Sequence, residues 1–333
     1  MADQINFDFK LVTPDNFERF SEMANICLGL QADSAYFRWK YLDNPAGQVI
    51  AYEAQHKGEV AGFYGVIPEF YLINGEKVKI YQSMDTMTHP KYQKRGLFTK
   101  LANLTYDHIA DREGGINLVG IPGSNSLHGF VAKLAWKDIH YFNYIFAQRG
   151  WFATRSLLQK RDGLTLASVI EGGPALERYF KERESSPKPI SNLMSSDFFC
   201  WRVLQNPHKG FKVIEARDDK TVVGLCVYTF EPEEKRSLVH LLDFSRQSYF
   251  KKYTATVLAH LFAETGSQFV YTWQPLNQTI YSAYKSCGFI RNPLRRGPFS
   301  YRIPFIVREQ GKSASSADWF DANNFDLQPL MQD

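Results

Sequence analysis

The sequence predicts two tandem α/β (α+β) domains, each a mixed, mainly antiparallel twisted sheet flanked by helices. Three observations carry that expectation. The chain has 333 residues, about twice the roughly 150 of a typical domain. The segment AYFRWKYLDNP (Ala35 to Pro45) returns as DFFCWRVLQNP (Asp197 to Pro207), an offset of 162. Each half also runs in the same order, a short helix and a hairpin followed by strand, helix, strand, helix and strand.

The repeat holds without a gap beyond its first segment. Phe37, Trp39, Leu42, Asn44, Pro45, Glu53, Ala54, Val60 and Gly62 meet their own kind at Phe199, Trp201, Leu204, Asn206, Pro207, Glu215, Ala216, Val222 and Gly224. That makes nine identities in 26 positions, where average residue usage gives about one or two. In the helix, Phe37, Trp39, Tyr41 and Leu42 are spaced for one buried side, and Pro45 or Pro207 ends it by removing a donor. Hairpins follow: VIAYEAQ and EVAGFYGVI flank His56 to Gly58, while FKVIEAR and TVVGLCVYTF flank Asp218 to Lys220.

In the first half, Tyr81 to Thr88 reads as a strand closed by Pro90, and Gln93 to Gly96 as a basic turn. Leu97 to Arg112 reads as a helix whose apolar face is Leu97, Phe98, Leu101, Leu104 and Ile109. The strand INLVGI follows, and PGSNS opens another helix ending at LAW. The expected organisation is a first domain over 1–160, a helix and linker over 161–196, a second domain over 197–308 and a polar tail over 309–333. Within the linker LTLASVIEGGPALERYFKER reads as helical, and in the tail Trp319 and Phe320 are candidates to dock back.

Composition narrows the function classes. Hydrophobic residues at 44%, aromatics at 15% and charged residues at 22% describe a globular chain. No apolar run reaches the roughly 18 residues of a membrane span, and MADQINFDFK lacks the pattern of a secretory signal. A cytoplasmic protein is therefore expected. Cys27, Cys200, Cys226 and Cys287 form no CxxC pair, so neither a zinc knuckle nor a disulfide framework is expected. A formal charge of +4 suits a small anionic ligand and is too small for a nucleic-acid footprint. There is no HExxH, GxxxxGK[ST], GxSxG or GxGxxG, and the eight histidines show no ligand spacing, so no metal is expected.

A strand feeding a basic glycine turn and then a helix N-terminus is a recipe for an anion site, because unpaired N–H groups and the positive end of the helix dipole converge there. Its alternative is an ordinary turn with solvated Lys94 and Arg95. The stretch THPKYQKRGLF resembles the acyl-CoA pyrophosphate loop of the GNAT superfamily of N-acyltransferases, with Gln93, Gly96 and Phe98 at the three defining positions. Phe98 departs from the small residue usual at the third. The resemblance extends to Asn125 through Trp136 and, in the second copy, to Asn277 through Phe289. The second copy has no glycine in LLDFSRQSYFKKYTATVLAHL, so one acyl-CoA site is expected, in the first domain. The tandem arrangement is similar to enzymes that acylate nucleotide-linked deoxyamino sugars in bacterial surface-polysaccharide pathways, lipopolysaccharide O-antigen among them.

The resemblance implies roles. Backbone N–H groups of Met87 and Thr88 would bind the donor carbonyl, and the pyrophosphate would lie on Gln93, Lys94, Arg95, Gly96, Leu97, Phe98 and Thr99. Asn125 would hold the pantetheine arm. Asp85 is the first candidate base, with structural anchoring as its alternative, and His128 is the second, with packing as its alternative. The family's acid tyrosine is present in copy two as Tyr284 but is Val131 in copy one, which directs attention to Ser124 and Ser126. From the residues themselves, Tyr271, Trp273, Gln274 and Asn277 are acceptor candidates, or else core and capping groups. The expectation is transfer from acyl-CoA, acetyl or longer if Met84, Met87 and Phe98 shape the pocket, to a dTDP-type amino sugar by a monomer or homodimer. The alternatives are an amino acid, peptide or aminoglycoside acceptor, and a non-catalytic acyl-CoA sensor.

Overall fold

The structure is a computed structural model describing residues 5–14, 17–156, 164–169, 173–219, 221–232, 237–244, 250–292, 296, 299–311 and 317–332. The chain forms two compact units. Unit 1 comprises 1–140, 206–208 and 304–324, and unit 2 comprises 141–205, 209–303 and 325–333. The boundary expected between 160 and 161 falls inside unit 2.

Unit 1 is a mainly antiparallel sheet. Strand β1 (Asp8–Leu11) precedes helices α1 (Phe17–Leu28) and α2 (Ser34–Leu42); β2 (Ile50–His56), β3 (Glu59–Ile73) and β4 (Glu76–Thr88) then form a meander. Its two turns place Lys57–Gly58 and Asn74–Gly75 at positive φ, the geometry that suits the twist of a tight hairpin. Helix α3 (Leu97–Glu113) crosses to β5 (Gly115–Gly120), which runs parallel to β4, and α4 (Ser124–Lys133) follows. The expected helix from Leu97 is thus present, with Leu97, Leu101 and Ile109 buried on the sheet beside Tyr64, Tyr81 and Trp136.

Unit 2 repeats the plan. After β6 (Lys137–Gln148) and α5 (Arg149–Ser156) come β7 (Leu164–Ser168), α6 (Pro174–Glu184), β8 (Ile190–Asn192) and the short α7 (Ser196–Phe199), which continues as one π turn over Cys200–Leu204. Then follow β9 (Phe211–Asp218), β10 (Thr221–Glu231), β11 (Leu238–Phe244), α8 (Phe250–Thr265), β12 (Phe269–Trp273), α9 (Gln278–Ser286) and β13 (Ile290–Arg291). Strand order is β6-β12-β11-β10-β9-β7, with β11 and β12 parallel. The segment LTLAS, expected as helix, is a strand antiparallel to β9; β-branched Thr165 and its alternating leucines fit an edge strand, and the helix begins only after Gly173, at Pro174. Strand β14 (Arg302–Gly311) returns to unit 1 and pairs antiparallel with β5, and β15 (Phe325–Asp326) pairs with β8.

The expected polar tail is therefore largely built into the units. Trp319 is buried as expected, Phe320 is exposed, and Leu330 and Met331 are core residues.

The sequence repeat is a repeat of structure. Asp33 caps α2 by accepting from Tyr36 N–H, and Ser195, 162 residues on, caps α7 by accepting from Phe198 N–H. Ala54 pairs with Gly62, and Ala216 with Gly224. A Cβ at Gly62 would lie 3.0 Å from the Leu101 side chain, so this strand position lets α3 approach the sheet. Asn44 is buried because its amide accepts from Ala46 N–H and donates to the Pro68 carbonyl, each at 2.9 Å.

Candidate functional site

In unit 1, three backbone features converge where β4 ends. The strands β4 and β5 pair from Tyr81–Leu118 only as far as Ser83–Gly120 and then part. Just beyond, the β3–β4 register shifts, Phe63 meeting Met87 but Gly65 meeting Met84, so β4 carries an extra residue there. Asp85 sits in that bulge at φ 47°. The third feature is the turn into α3, where Lys94 and Gly96 have φ 62° and 76°.

Gly96 is the N-cap of α3. It supplies no side-chain cap, and no carboxylate stands in the helix's first turn. Gln93, Lys94, Arg95 and Gly96 are all exposed. The first amides of a 17-residue helix, its positive dipole end and two cations therefore face outward together, the arrangement that binds a phosphate group. No heavy atom lies within 4 Å of a Cβ built on Gly96. Its glycine is explained by its positive φ and by open space for a ligand to approach the backbone.

Asp85 is firmly engaged. Its Oδ2 accepts from the Tyr41 hydroxyl at 2.6 Å and pairs with Lys40 Nζ at 2.7 Å. The Lys40 and Asp85 side chains are 2% and 9% exposed. Lys40 and Tyr41 end α2, so the carboxylate ties that helix to the bulge. The sequence marks Tyr41 only as part of the helix's buried side and does not single out Lys40; the available signal is the repeat itself, which places Lys40 opposite Arg202, a cation between aromatic and aliphatic residues at both sites.

Ser83, at the last paired position before the strands part, meets the Tyr64 hydroxyl at 2.8 Å. Tyr64 meets Tyr106 at 2.7 Å, and Trp136 Nε1 donates to Tyr106 at 3.0 Å. Burial raises the pKa of both phenols well above its usual value, so they stay neutral. This chain stiffens the floor of the fork.

Ser124, Asn125 and His128 are exposed on α4, and their spacing of three and four residues gives them one face. Phe98 is half-buried and packs edge-on to Phe130, ring centroids 5.1 Å apart. A Cβ on Gly129 would lie 2.9 Å from Phe98 Cε1. Gly129 thus makes the room that a large residue at position 98 requires. Met87 is buried, and Thr88 is half-buried.

The acceptor candidates lie in unit 2. Trp273, Gln274 and Asn277 line a cavity of about 440 Å³, with Phe142, Leu242, Asp243, Tyr284 and Gln328 among its other walls. Tyr271 is absent from those walls. Its ring stacks on His240 at 4.3 Å, at the last paired position of β11 and β12, whereas Trp273 lies past the point where those strands part. Asn277 also caps α9, accepting from Thr279 and Ile280 N–H. Among the described residues no group of three metal-ligating side chains occurs, and no helix is long and apolar enough to cross a membrane.

Residues 8–125 match the acetyltransferase (GNAT) domain, a span that holds the bulge, the fork, the α3 turn and the start of α4. Among solved structures, a GCN5-related N-acetyltransferase from Anabaena variabilis has a TM-score of 0.66 at 13% identity, over 91% of this chain and 72% of its own. Saccharomyces cerevisiae N-myristoyltransferase with bound myristoyl-CoA scores 0.59 at 10% identity, over 97% and 84%. A GCN5-related glucosamine N-acetyltransferase region of a fungal multi-domain GH3 β-N-acetylglucosaminidase scores 0.57 at 15% identity, over 92% and 38%. At these identities the likeness is one of fold. No curated protein matches the sequence. Residues 8–125 thus match a domain of the GNAT acetyltransferase type, about a third of the chain, and the chain as a whole shares its fold with the solved N-acyltransferases.

Proposed function

We propose that the enzyme moves an acyl group from acyl-CoA to the amino group of a nucleotide-linked, dTDP-type deoxyamino sugar made in the cytoplasm for surface polysaccharide. The single observation that carries the donor half is the exposed turn into α3, with Lys94 and Gly96 at positive φ beside the fork of β4 and β5. A sugar amine as acceptor is supported by the fungal neighbour, whose name specifies glucosamine.

In this reading the pyrophosphate lies on the amides of Lys94 through Thr99, with Gln93 and the Lys94 and Arg95 charges completing the cradle. Met87 and Thr88 N–H groups hold the thioester carbonyl and stabilise its oxygen as charge develops. Asn125 hydrogen bonds the pantetheine arm. The sugar ammonium loses a proton to His128 through water, its nitrogen bonds to the carbonyl carbon, the C–S bond breaks, and the second proton leaving the nitrogen passes to the departing thiolate by way of the Ser124 hydroxyl, which gives up one proton as it takes the other. The departing sulfur needs little help, since a thiol's reference pKa is about 8.5; Ser124 stands on the same face to donate to it. Asp85, already held by Lys40 and Tyr41, is a positioning residue that fixes the bulge carrying Met87.

The test is thiol release from acetyl-CoA and longer acyl-CoAs against dTDP-amino sugars, amino acids, peptides and aminoglycosides. Turnover with the nucleotide sugars is expected. Reaction only with peptides or free amino acids overturns the acceptor assignment, and CoA binding without turnover on any amine favours a sensor. His128→Gln is expected to lower kcat while leaving KM for acyl-CoA unchanged.

A further inference from the structure

We infer that the cavity of unit 2 is a binding site for a flat heterocycle with a cis-amide edge, of which a pyrimidine base is the simplest. The inference rests on the proposed acceptor only for the source of that base.

Place and size come first. Strands β11 and β12 pair in parallel through His240–Tyr271 and then part, and the cavity is lined by residues just past that point, Leu242 and Asp243 on one strand and Thr272 and Trp273 on the other. Its volume of about 440 Å³ lies in the range of small-molecule sites. Tyr284 and Asn277 reach it from α9 and its cap, and Gln328 from the C-terminal segment.

Chemistry comes next. Gln328 is 3% exposed, and neither its Oε1 nor its Nε2 has a partner among the described residues; Trp273 is 3% exposed, and its Nε1 has none either. Buried polar groups in a folded protein are ordinarily paired, and the two side chains that carry these three orphaned atoms both line one cavity, so we assign the missing bonds to a ligand. A carboxamide lacking both partners needs a donor and an acceptor side by side. A trans peptide group turns its N–H and C=O in opposite directions and meets only one of those needs, whereas the N3–H and adjacent carbonyl of a pyrimidine meet both. A second carbonyl accepts from the indole N–H. Trp273, stacked on Phe142 at 4.7 Å and 21°, supplies the aromatic wall that a planar ring favours.

Acyl-CoA is a poor occupant, because the stretch from Leu241 to Leu261 contains no glycine for a phosphate-binding turn.

Calorimetric titration of the full chain with thymidine, without acyl-CoA, tests the inference. Thymidine is expected to bind and 3-methylthymidine, whose N3–H is blocked, to bind at least about tenfold more weakly. Gln328→Leu is expected to lose thymidine affinity to the same degree while melting no lower than the parent, since it removes two orphaned polar atoms. No heat with thymidine, or equal affinity for the methylated base, overturns the assignment. If Gln328→Leu does not fold, the methylated ligand still decides on the parent protein. Amino-sugar acylation without thymidine binding sinks this inference alone, and thymidine binding without any acylation sinks the proposed reaction alone.

Discussion

The two units carry the same aspartate device in two settings. In unit 1, Asp85 lies in the β4 bulge and is held by Tyr41 and Lys40 of α2. In unit 2, Asp243 lies beside the β11 bulge, where Leu242 is the extra residue, and is held by Tyr179 and by Arg183 at 3.7 Å, both from α6. Each time a tyrosine and a cation pin the carboxylate at the place where the parallel strands part, yet the gripping helix differs. The fold therefore requires a clamped acid at the fork, whichever element supplies the clamp. What differs functionally is the approach to the next helix. Unit 1 has Gly96 at positive φ and an uncapped helix start, while the corresponding sequence of unit 2 has no glycine; its residues 245–249 lie outside the described residues.

The largest effect expected from breaking that contrast is at Gly96. Gly96→Trp should abolish acyl-CoA binding in calorimetry, because the ring fills the space through which the phosphates reach the amides. Its stability cost should stay near 1–2 kcal/mol, the usual penalty of a side chain in the left-handed region, since nothing stands within 4 Å of the new Cβ. Normal CoA binding by this variant would move the phosphate site elsewhere.

Next in size is the clamp. Asp85→Asn removes the carboxylate that pairs with buried Lys40, and removing one partner of a buried pair costs about 3–5 kcal/mol. Urea denaturation should show that loss, and Asp243→Asn should show a comparable one. A fully stable Asp85→Asn enzyme that has lost turnover would instead make Asp85 the base.

The clamp also marks how far the sequence could be read. The repeat, the hairpins, α3 and the Gln93–Gly96 turn were legible, because their signals are local: period, glycine at positive φ, and proline stops. The clamp of Lys40 and Tyr41 on Asp85 was not, since it depends on a partner more than 40 residues away that no local pattern encodes. LTLAS was misread because five residues cannot separate a strand from a helix by periodicity alone. Gln328 was hidden in a polar segment whose burial depends entirely on the surface it meets. Tyr271 and Trp273 share a strand and a residue class, and only the point at which β11 and β12 part separates a packed ring from a cavity wall.

The smallest expected effect concerns acid. His240 of β11 stands where unit 1 has Gln82, for Ile67 pairs with Gln82 in one unit and Thr229, at the repeat offset of 162, pairs with His240 in the other. His240 is buried against Tyr271, and desolvation first and the Lys209 charge second lower its pKa to about 3. In the unfolded chain it titrates near 6.5. The folded state therefore excludes a proton that the unfolded state accepts, so stability is complete above about pH 6.5 and is lost as pH falls from there toward 3. Between pH 7.5 and 5.5 the loss from this one group should be about 1.4 kcal/mol. His240→Gln, which copies unit 1 at this position, should remove that slope from urea midpoints measured at the two pH values. An unchanged slope in the variant would mean that His240 is already protonated in the folded protein, and that the stack on Tyr271 holds a cation.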